Sequence, residues 1–128
     1  MFNSIQQFET AGIKNLRKAE DEFIRTRDMA NFINAIKEVV LHLGLDVIAE
    51  TLENYDAAIR KSPKRSEKWS VVRKDPKQLV TSLGTVQYCK TLFINKTTKE
   101  RSYLLDRELG LEKHQRITED AEAQLLTE

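Results

Sequence analysis

The architecture expected for this chain follows from one segment, Val86-Gln87-Tyr88-Cys89-Lys90-Thr91-Leu92-Phe93-Ile94. It is rich in β-branched and aromatic residues, and neither glycine nor proline interrupts it, which is typical of a β-strand. Both faces of this strand carry polar as well as apolar side chains, as in a ribbon with two partly exposed faces. Gly84 breaks the preceding run, and the polar residues 95–99 form a turn afterwards.

Neighbouring segments complete a predicted sheet. The turn at 95–99 predicts a hairpin whose return strand covers about residues 100–105. Because two strands alone are marginally stable, we expect a third strand from residues 69–73 or 79–81. The sequence therefore predicts a small antiparallel β-ribbon over residues 69–105.

The residues before the ribbon have helical periodicity. Apolar residues recur every three or four positions from Ile5 to about Arg25, which predicts a first helix. Asp28 is a suitable N-cap for a second helix, which we expect to end at Gly44. A third helix is predicted to run out at Ser62-Pro63. The apolar stripe of this third helix consists of Leu45, Ile48, Leu52, Tyr55 and Ile59.

These elements make an α+β chain with four parts. A helical unit of about three helices covers 1–60, a basic linker 61–68, the antiparallel β-ribbon 69–105, and a turn with the beginning of a helix 106–128. Residues 60–68 contain no hydrophobic residue type, so we expect an exposed connector there. The last helix is predicted to begin at Thr118. This helix has no terminating cap in the sequence, which is what a longer protein truncated within a helix would show. A short chain that ends in a frayed helix is the alternative.

Charge is unevenly distributed along the chain. The net charge is +1, but residues 60–101 hold 12 Lys and Arg against 3 Asp and Glu, while 1–59 and 102–128 are each net −4. A polyanion is the commonest partner of such a basic block, because basic side chains on phosphates release condensed counterions. A solvated basic surface without a partner is the alternative. The residues expected to contact nucleic acid are Arg60, Lys61, Lys64, Arg65, Lys68, Trp69, Arg73, Lys74, Lys77, Lys90 and Lys96.

Composition excludes several classes of protein. The chain is 40% hydrophobic and 32% charged, which is ordinary for a soluble domain. No apolar run approaches the roughly 20 residues of a membrane span, and the first residues do not form a secretory signal, so we expect a cytoplasmic protein. Cys89 is the only cysteine and there are 2 histidines, which excludes an intramolecular disulfide and a cysteine-rich zinc site. We therefore expect no metal, no cofactor and no small-molecule substrate.

No catalytic constellation is visible. Asp106 follows a strand, but two-metal chemistry needs several converging carboxylates, and no partner stands at a suitable position. Cys89 has no nearby histidine, which favours a structural thiol over a nucleophile. The glycines are isolated, so a phosphate-binding loop is absent. A small metal-dependent hydrolase is the least favoured hypothesis.

A protein-interaction module is the main alternative to nucleic-acid binding. The stripe of Leu45, Ile48, Leu52, Tyr55 and Ile59 alternates in steps of three and four, so it is suited to pairing two copies of the chain. The same stripe also suits an intramolecular core. Assembly and DNA binding are compatible with each other.

Matched positions over residues 69–111 also resemble a known family. They are Trp69, Val72, Arg73, Asp75, Leu79, Thr81, Leu83-Gly84-Thr85-Val86, Tyr88, Lys90-Thr91, Phe93, Asn95-Lys96, Tyr103-Leu104-Leu105-Asp106 and Leu109-Gly110-Leu111. This pattern resembles the N-terminal region of bacterial ISLre-type insertion-sequence transposases, long filed as an uncharacterised protein family. The helices at 1–60 are similar to that family's opening segment. One departure is Lys90, where an arginine is usual; lysine keeps the charge but weakens bidentate contacts.

The resemblance implies a role in DNA transposition. Proteins of that family are several-fold longer, with a ribonuclease-H-like catalytic core and its acidic metal-binding residues downstream of this region. The resemblance therefore implies that a divalent metal belongs to that core, and that a helix-turn-helix-like segment begins near Thr118. We expect this chain to associate with double-stranded DNA and to position it, and not to cut or join DNA by itself.

Overall fold

The computed structural model describes residues 3–111, and these residues divide between two compact units. The first unit extends to Ile48 and the second begins at Ala49, so the boundary lies inside a long helix. The predicted helix at Thr118 lies outside the described residues. The predicted α+β class is confirmed, because helices precede a three-stranded antiparallel sheet and a further helix follows it.

The first unit begins with a helix that contains one π-helical turn. Helix α1 (Asn3–Gln7) continues through this turn (Phe8–Gly12) into α2 (Ile13–Thr26). A Cβ atom on Gly12 would lie 2.3 Å from the Phe8 ring, so the close approach of that ring requires glycine. The predicted first helix is therefore present, with a local change of hydrogen-bond register that its periodicity did not indicate.

A tight turn joins α2 to the long helix α3 (Met29–Lys61). Arg27 adopts a left-handed conformation with φ 58°, and Asp28 caps the next helix, since its Oδ1 accepts a hydrogen bond from Asn31 N at 3.1 Å. The Phe23 and Phe32 rings stack across the turn with centroids 4.8 Å apart. The predicted capping role of Asp28 is confirmed.

The predicted end of the second helix at Gly44 is wrong. Helix α3 continues through Gly44 for 33 residues, so the second and third predicted helices are one. A glycine costs a helix interior only about 1 kcal/mol relative to alanine, and no proline follows until Pro63. Within residues 3–111, no helix is both long and apolar enough to cross a membrane.

The second unit contains the end of α3, a short helix and the sheet. Helix α4 (Pro63–Lys68) occupies most of the predicted connector, with proline at its first position. It leads into β1 (Trp69–Thr81), β2 (Gly84–Asn95) and β3 (Arg101–Tyr103), and α5 (Leu104–Leu109) follows. The strand order is β1-β2-β3 and both pairings are antiparallel. The sheet therefore ends at Tyr103, and the last residues of the predicted ribbon are helical.

Strand β1 joins two predicted strand pieces into one. It pairs with β2 along its whole length, with a bulge between Val71 and Arg73. Pro76 is tolerated inside it because β1 is an edge strand and needs no outward hydrogen bond there. The buried apolar side chains of this unit are Leu79, Val86, Tyr88, Leu92, Phe93 and Leu105.

Two carboxylates of α3 complete the hydrogen bonding of β2. Strand β3 pairs only with residues 92–94, which leaves the β2 edge without a strand partner at Cys89 and Thr91. Glu53 accepts a hydrogen bond from Cys89 N at 2.8 Å. Asp56 accepts one from Thr91 N at 3.0 Å and one from Thr91 Oγ1 at 2.6 Å, and its side chain is 2% exposed. Side chains three residues apart share a helix face, which lets α3 act in place of the missing strand.

Replacing Asp56 is expected to destabilise the fold strongly. Asp56→Ala leaves the amide and hydroxyl of Thr91 buried without an acceptor, and we expect a loss of about 3 kcal/mol in the free energy of unfolding. Glu53→Ala is the matched control, because it removes one hydrogen bond at an exposed residue and should cost about 1 kcal/mol. Urea denaturation measures both. Equal losses for the two variants would contradict the role given to Asp56.

Candidate nucleic-acid interface

Four lysines of the predicted contact set have free ammonium groups. Lys61 ends α3, Lys64 and Lys68 belong to α4, and Lys74 lies on β1. All four are exposed, and within residues 3–111 none forms a hydrogen bond or an ion pair through its side chain. Helix α4 contacts β1, so the lysines of both elements belong to one region of the second unit. Cations of this kind are available to bind an external anion.

Arg65 has a structural role. Its Nη1 donates to the carbonyl of Trp69 at 2.8 Å, and its Nη2 donates to the carbonyl of Arg60. The guanidinium also lies over the Phe93 ring, 5.4 Å from the centroid. Arg65 therefore links the end of α3, α4 and the sheet, and its two terminal nitrogens, Nη1 and Nη2, both donate within the protein.

Arg60 and Lys96 are also partly engaged within the protein. Arg60 Nε lies 3.6 Å from Asp56 Oδ2, which supplies a counter-charge to the buried carboxylate. Lys96 Nζ donates to the carbonyl of Ser66 at 2.5 Å, and Lys96 N donates to the carbonyl of Lys68 at 2.9 Å. These contacts hold the turn after β2 against α4. Both residues are less available to a ligand than the four free lysines.

The remaining surface members of the predicted set lie along β1. Arg73 Nε contacts Asp75 Oδ1 at 2.8 Å, and the Lys77 ammonium lies 5.1 Å from the centre of the Tyr103 ring. Trp69 is half-buried beneath the guanidinium of Arg107, which lies 5.3 Å from the ring centroid. The sequence interpretation did not include Arg107, because only the fold brings α5 next to the start of β1.

Lys90 does not lie on the basic surface. It is 5% exposed, and its Nζ donates to Asp106 Oδ2 at 2.5 Å. The ammonium also lies 4.3 Å from the centre of the Tyr103 ring. A buried ammonium with these partners is not accessible to phosphate. Lys90 is therefore not among the exposed cations of the predicted nucleic-acid contact set.

Burial shapes the protonation of the groups around Lys90. Desolvation is the main reason that the pKa of Tyr88 is raised to about 12, and it also raises the pKa of Tyr103 to about 12. Burial raises the pKa of Asp106 above its ordinary value, and Lys90 opposes this effect. The hydrogen bond from Tyr103 is the largest cause that lowers the pKa of Asp75. The cluster thus contains two phenols with raised pKa values beside two ion pairs, Lys90–Asp106 and Arg73–Asp75.

A metal site does not emerge from the described residues. Among residues 3–111, no group of three or more His, Cys, Asp and Glu side chains is placed to hold a metal ion. Asp106 Oδ1 is buried without a hydrogen-bond partner in this part of the chain, but Lys90 supplies the counter-charge of this carboxylate. Asp106 is therefore the anionic partner of a buried lysine.

The predicted assembly stripe lies on one continuous helix. Leu45, Ile48, Leu52 and Ile59 are half-buried, whereas Tyr55 is 42% exposed. The Tyr55 hydroxyl donates to Glu108 Oε2 at 3.3 Å. The most exposed apolar side chains of α3 lie nearer its start, where Met29, Ile33 and Val40 are 53%, 59% and 52% exposed.

Comparison with known proteins identifies the family. Residues 25–128 match the family described as Uncharacterised protein family (UPF0236), and the chain belongs to this family. A UPF0236 protein of Caldanaerobacter subterraneus subsp. tengcongensis is 32% identical over 107 residues, which cover 84% of this chain and 23% of that protein. Two further UPF0236 proteins of the same organism are 33% identical over 99 residues, covering 77% of this chain and 21% and 20% of their own lengths.

The chain thus spans about a fifth of the length of the curated relatives that it matches. No solved structure matches it.

The buried Lys90–Asp106 pair gives a pH-dependent prediction. Lys90→Met leaves the Asp106 carboxylate buried without a counter-charge, and we expect a loss of about 3 kcal/mol at pH 7. Desolvation then holds the folded-state pKa of Asp106 above its unfolded value. The folded state consequently favours protonation, and stability is retained at low pH and lost as pH rises, by at most about 1.4 kcal/mol per unit.

Urea denaturation of Lys90→Met at about pH 3.5, below the unfolded pKa of an aspartate, and at pH 8 measures this effect, with the native chain at the same pH values as reference. The double variant Lys90→Met, Asp106→Leu removes both charges and should recover most of the lost stability. An equal loss at the two pH values would show that the Asp106 charge is not the cause.

Proposed function

We propose that this chain is a DNA-associating segment of a transposase, and that its free lysines position duplex DNA. The observation that carries the proposal is the set of exposed ammonium groups at Lys61, Lys64, Lys68 and Lys74. None of them has a side-chain partner within residues 3–111. The resemblance of residues 69–111 to ISLre-type transposases supports the same function, and the cytoplasm, where bacterial DNA lies, is the location it implies.

The proposal gives this segment no chemical step. Phosphate contacts fix the orientation of a protein on DNA without reading sequence, and they require only cations at suitable places. In the transposase proposed here, cutting and joining belong to a catalytic core elsewhere in the longer protein. A divalent metal would serve that core. The segment would hold the DNA in place while the core acts.

The number of free lysines sets a quantitative expectation. Each neutralised phosphate of duplex DNA contributes about 0.9 to the slope of log Kobs against log salt. Four such contacts therefore predict a slope of about −3.6. Arg65 is excluded from this set because its Nη1 and Nη2 both donate to backbone carbonyls and its side chain is half-buried.

Neutralising the free lysines is expected to remove most of the salt dependence. The variant carries Lys61→Gln, Lys64→Gln, Lys68→Gln and Lys74→Gln and retains Arg65, so that α4 keeps its anchor. Titration of duplex DNA by fluorescence anisotropy across a salt series should give a slope near zero in place of about −3.6. The same four substitutions should leave the urea midpoint close to that of the native chain.

A control variant with the same change of net charge tests whether the position of the basic residues determines DNA binding. Four exposed basic residues of α2 are replaced in it, by Lys14→Gln, Arg17→Gln, Lys18→Gln and Arg25→Gln. We expect this control to keep the native slope. Equal weakening by both variants would mean that binding reflects net charge alone, and no binding of the native chain at low salt would contradict the proposed function.

Self-association is the second candidate function. The observation in its favour is the exposed apolar face of α3 formed by Met29, Ile33 and Val40, since an amphipathic helix buries such a face when it can. The predicted stripe at Leu45–Ile59 is mostly half-buried and is therefore the less suitable contact.

Ile33→Lys and Leu52→Lys distinguish the two stripes. If copies of the chain pair through the exposed face of α3, Ile33→Lys should lower the mass in solution to that of a monomer without loss of stability. Leu52→Lys should instead reduce stability, because Leu52 is half-buried within the second unit. Sedimentation equilibrium measures the mass. A monomeric native chain would exclude this function.

A further inference from the structure

One face of the β1–β2 ribbon is exposed over the part nearer the turn at residues 82–83, which joins these two strands. Thr91, which pairs with Lys74 on this face, is buried against Asp56. Side chains alternate between the two faces of a strand, and the burial in β2 alternates with them from Thr85 to Lys90. On one face Leu79, Val86, Tyr88 and Lys90 are buried. On the other face, the exposed side chains are Lys74, Pro76 and Gln78 of β1 and Thr85, Gln87 and Cys89 of β2.

Two glutamines stand opposite each other at the centre of this exposed face. Gln78 pairs with Gln87 in the register of β1 and β2, and directly opposed side chains lie about 5 Å apart. Within residues 3–111, neither amide group has a hydrogen-bond partner in the protein. Each therefore offers one carbonyl oxygen and one NH2 group to a ligand.

The amide pair has the chemistry of a base-reading contact. Glutamine reads adenine in the major groove through two hydrogen bonds to N6 and N7. That groove is roughly 12 Å wide and admits a two-stranded β-ribbon. Successive bases of one strand are about 3.4 Å apart, so two amides about 5 Å apart are able to reach neighbouring base pairs.

We propose that this face of the ribbon enters the DNA major groove and that Gln78 and Gln87 read base edges there. The inference rests on the proposed function and deepens it, because the free lysines supply phosphate contacts and the glutamines supply sequence preference. Lys74 stands on the same face as the glutamines, on the side towards α4. The lysines of α4 thus flank the ribbon where it would meet the DNA backbone.

The charge and polarity of the face favour DNA over a protein partner. Its six exposed residues include one lysine and no carboxylate, and the nearest carboxylate, that of Glu53, lies at the edge of the face and accepts a hydrogen bond from Cys89 N. The side chains of the face itself therefore complement a polyanion. They include no large aliphatic or aromatic side chain, whereas the centre of a protein–protein interface is usually apolar. A second copy of this face, with its lysine and amides, would bury little apolar area.

The test is a selection of duplexes from a random-sequence library by the native full chain, followed by measurement of sequence preference. Preference is the ratio of affinities for the selected duplex and for a scrambled duplex of equal composition. Gln78→Ala and Gln87→Ala should each lower this ratio roughly tenfold, with the salt slope unchanged. Gln7→Ala, at an exposed glutamine of α1, is the matched control and should leave the ratio unchanged.

Cys89 supplies an independent readout on the same face. Its thiol is exposed, and it is the only cysteine of the chain. Alkylation by N-ethylmaleimide is expected to be blocked when the selected duplex saturates the chain. In the four-lysine variant, which is expected to bind DNA poorly, alkylation of Cys89 in the presence of the same duplex should be as fast as in the absence of DNA.

The outcomes separate this inference from the function on which it rests. A native chain that binds all duplexes equally, or a double variant Gln78→Ala, Gln87→Ala with full preference, overturns base reading and leaves phosphate binding intact. Rapid alkylation of Cys89 in the saturated complex also overturns it, since DNA then lies elsewhere. Absence of salt-dependent binding to any duplex overturns the proposed function and the inference together.

Discussion

The two hydrogen bonds that Asp56 accepts from Thr91 are the contact on which the second unit depends. Strand β3 is too short to pair with the whole of β2, and a buried carboxylate of α3 satisfies the Thr91 amide and hydroxyl instead. Lys61, where α3 ends, follows Asp56 by little more than one turn, and α4 begins two residues later. A single buried carboxylate therefore holds the end of α3 against β2, next to the start of the basic helix.

The basic residues of this region divide into two kinds. Arg65 and Lys90 use their charge inside the protein, where guanidinium and ammonium groups are acceptable only because carbonyls, a carboxylate and aromatic rings surround them. Lys64 and Lys74, by contrast, gain nothing from the fold and remain hydrated. Cations that do not stabilise the protein are the ones available to a polyanion, which is why net charge alone is a poor guide to the contact surface.

Local sequence patterns predicted the parts of the fold that depend on residues close together in the sequence. The Asp28 cap, the stop at Pro63 and the hairpin after residue 94 follow from capping chemistry, the missing amide hydrogen of proline and turn propensity. The local pattern did not predict that α3 continues through Gly44. Cooperative helix propagation outweighs the cost of one glycine. Burial of Lys90 depends on Asp106, which lies 16 residues away and is brought close only by the fold.

In the proposed complex, α4 and the exposed face of the ribbon meet duplex DNA. A titration of the isotopically labelled 14.8 kDa chain with a short duplex, followed by amide chemical shifts in solution NMR, tests it most directly. The account predicts shift changes over residues 61–68, 74–78 and 85–89, with the amides of α2 unchanged. Changes confined to α2, or none at a DNA excess and low salt, would contradict it.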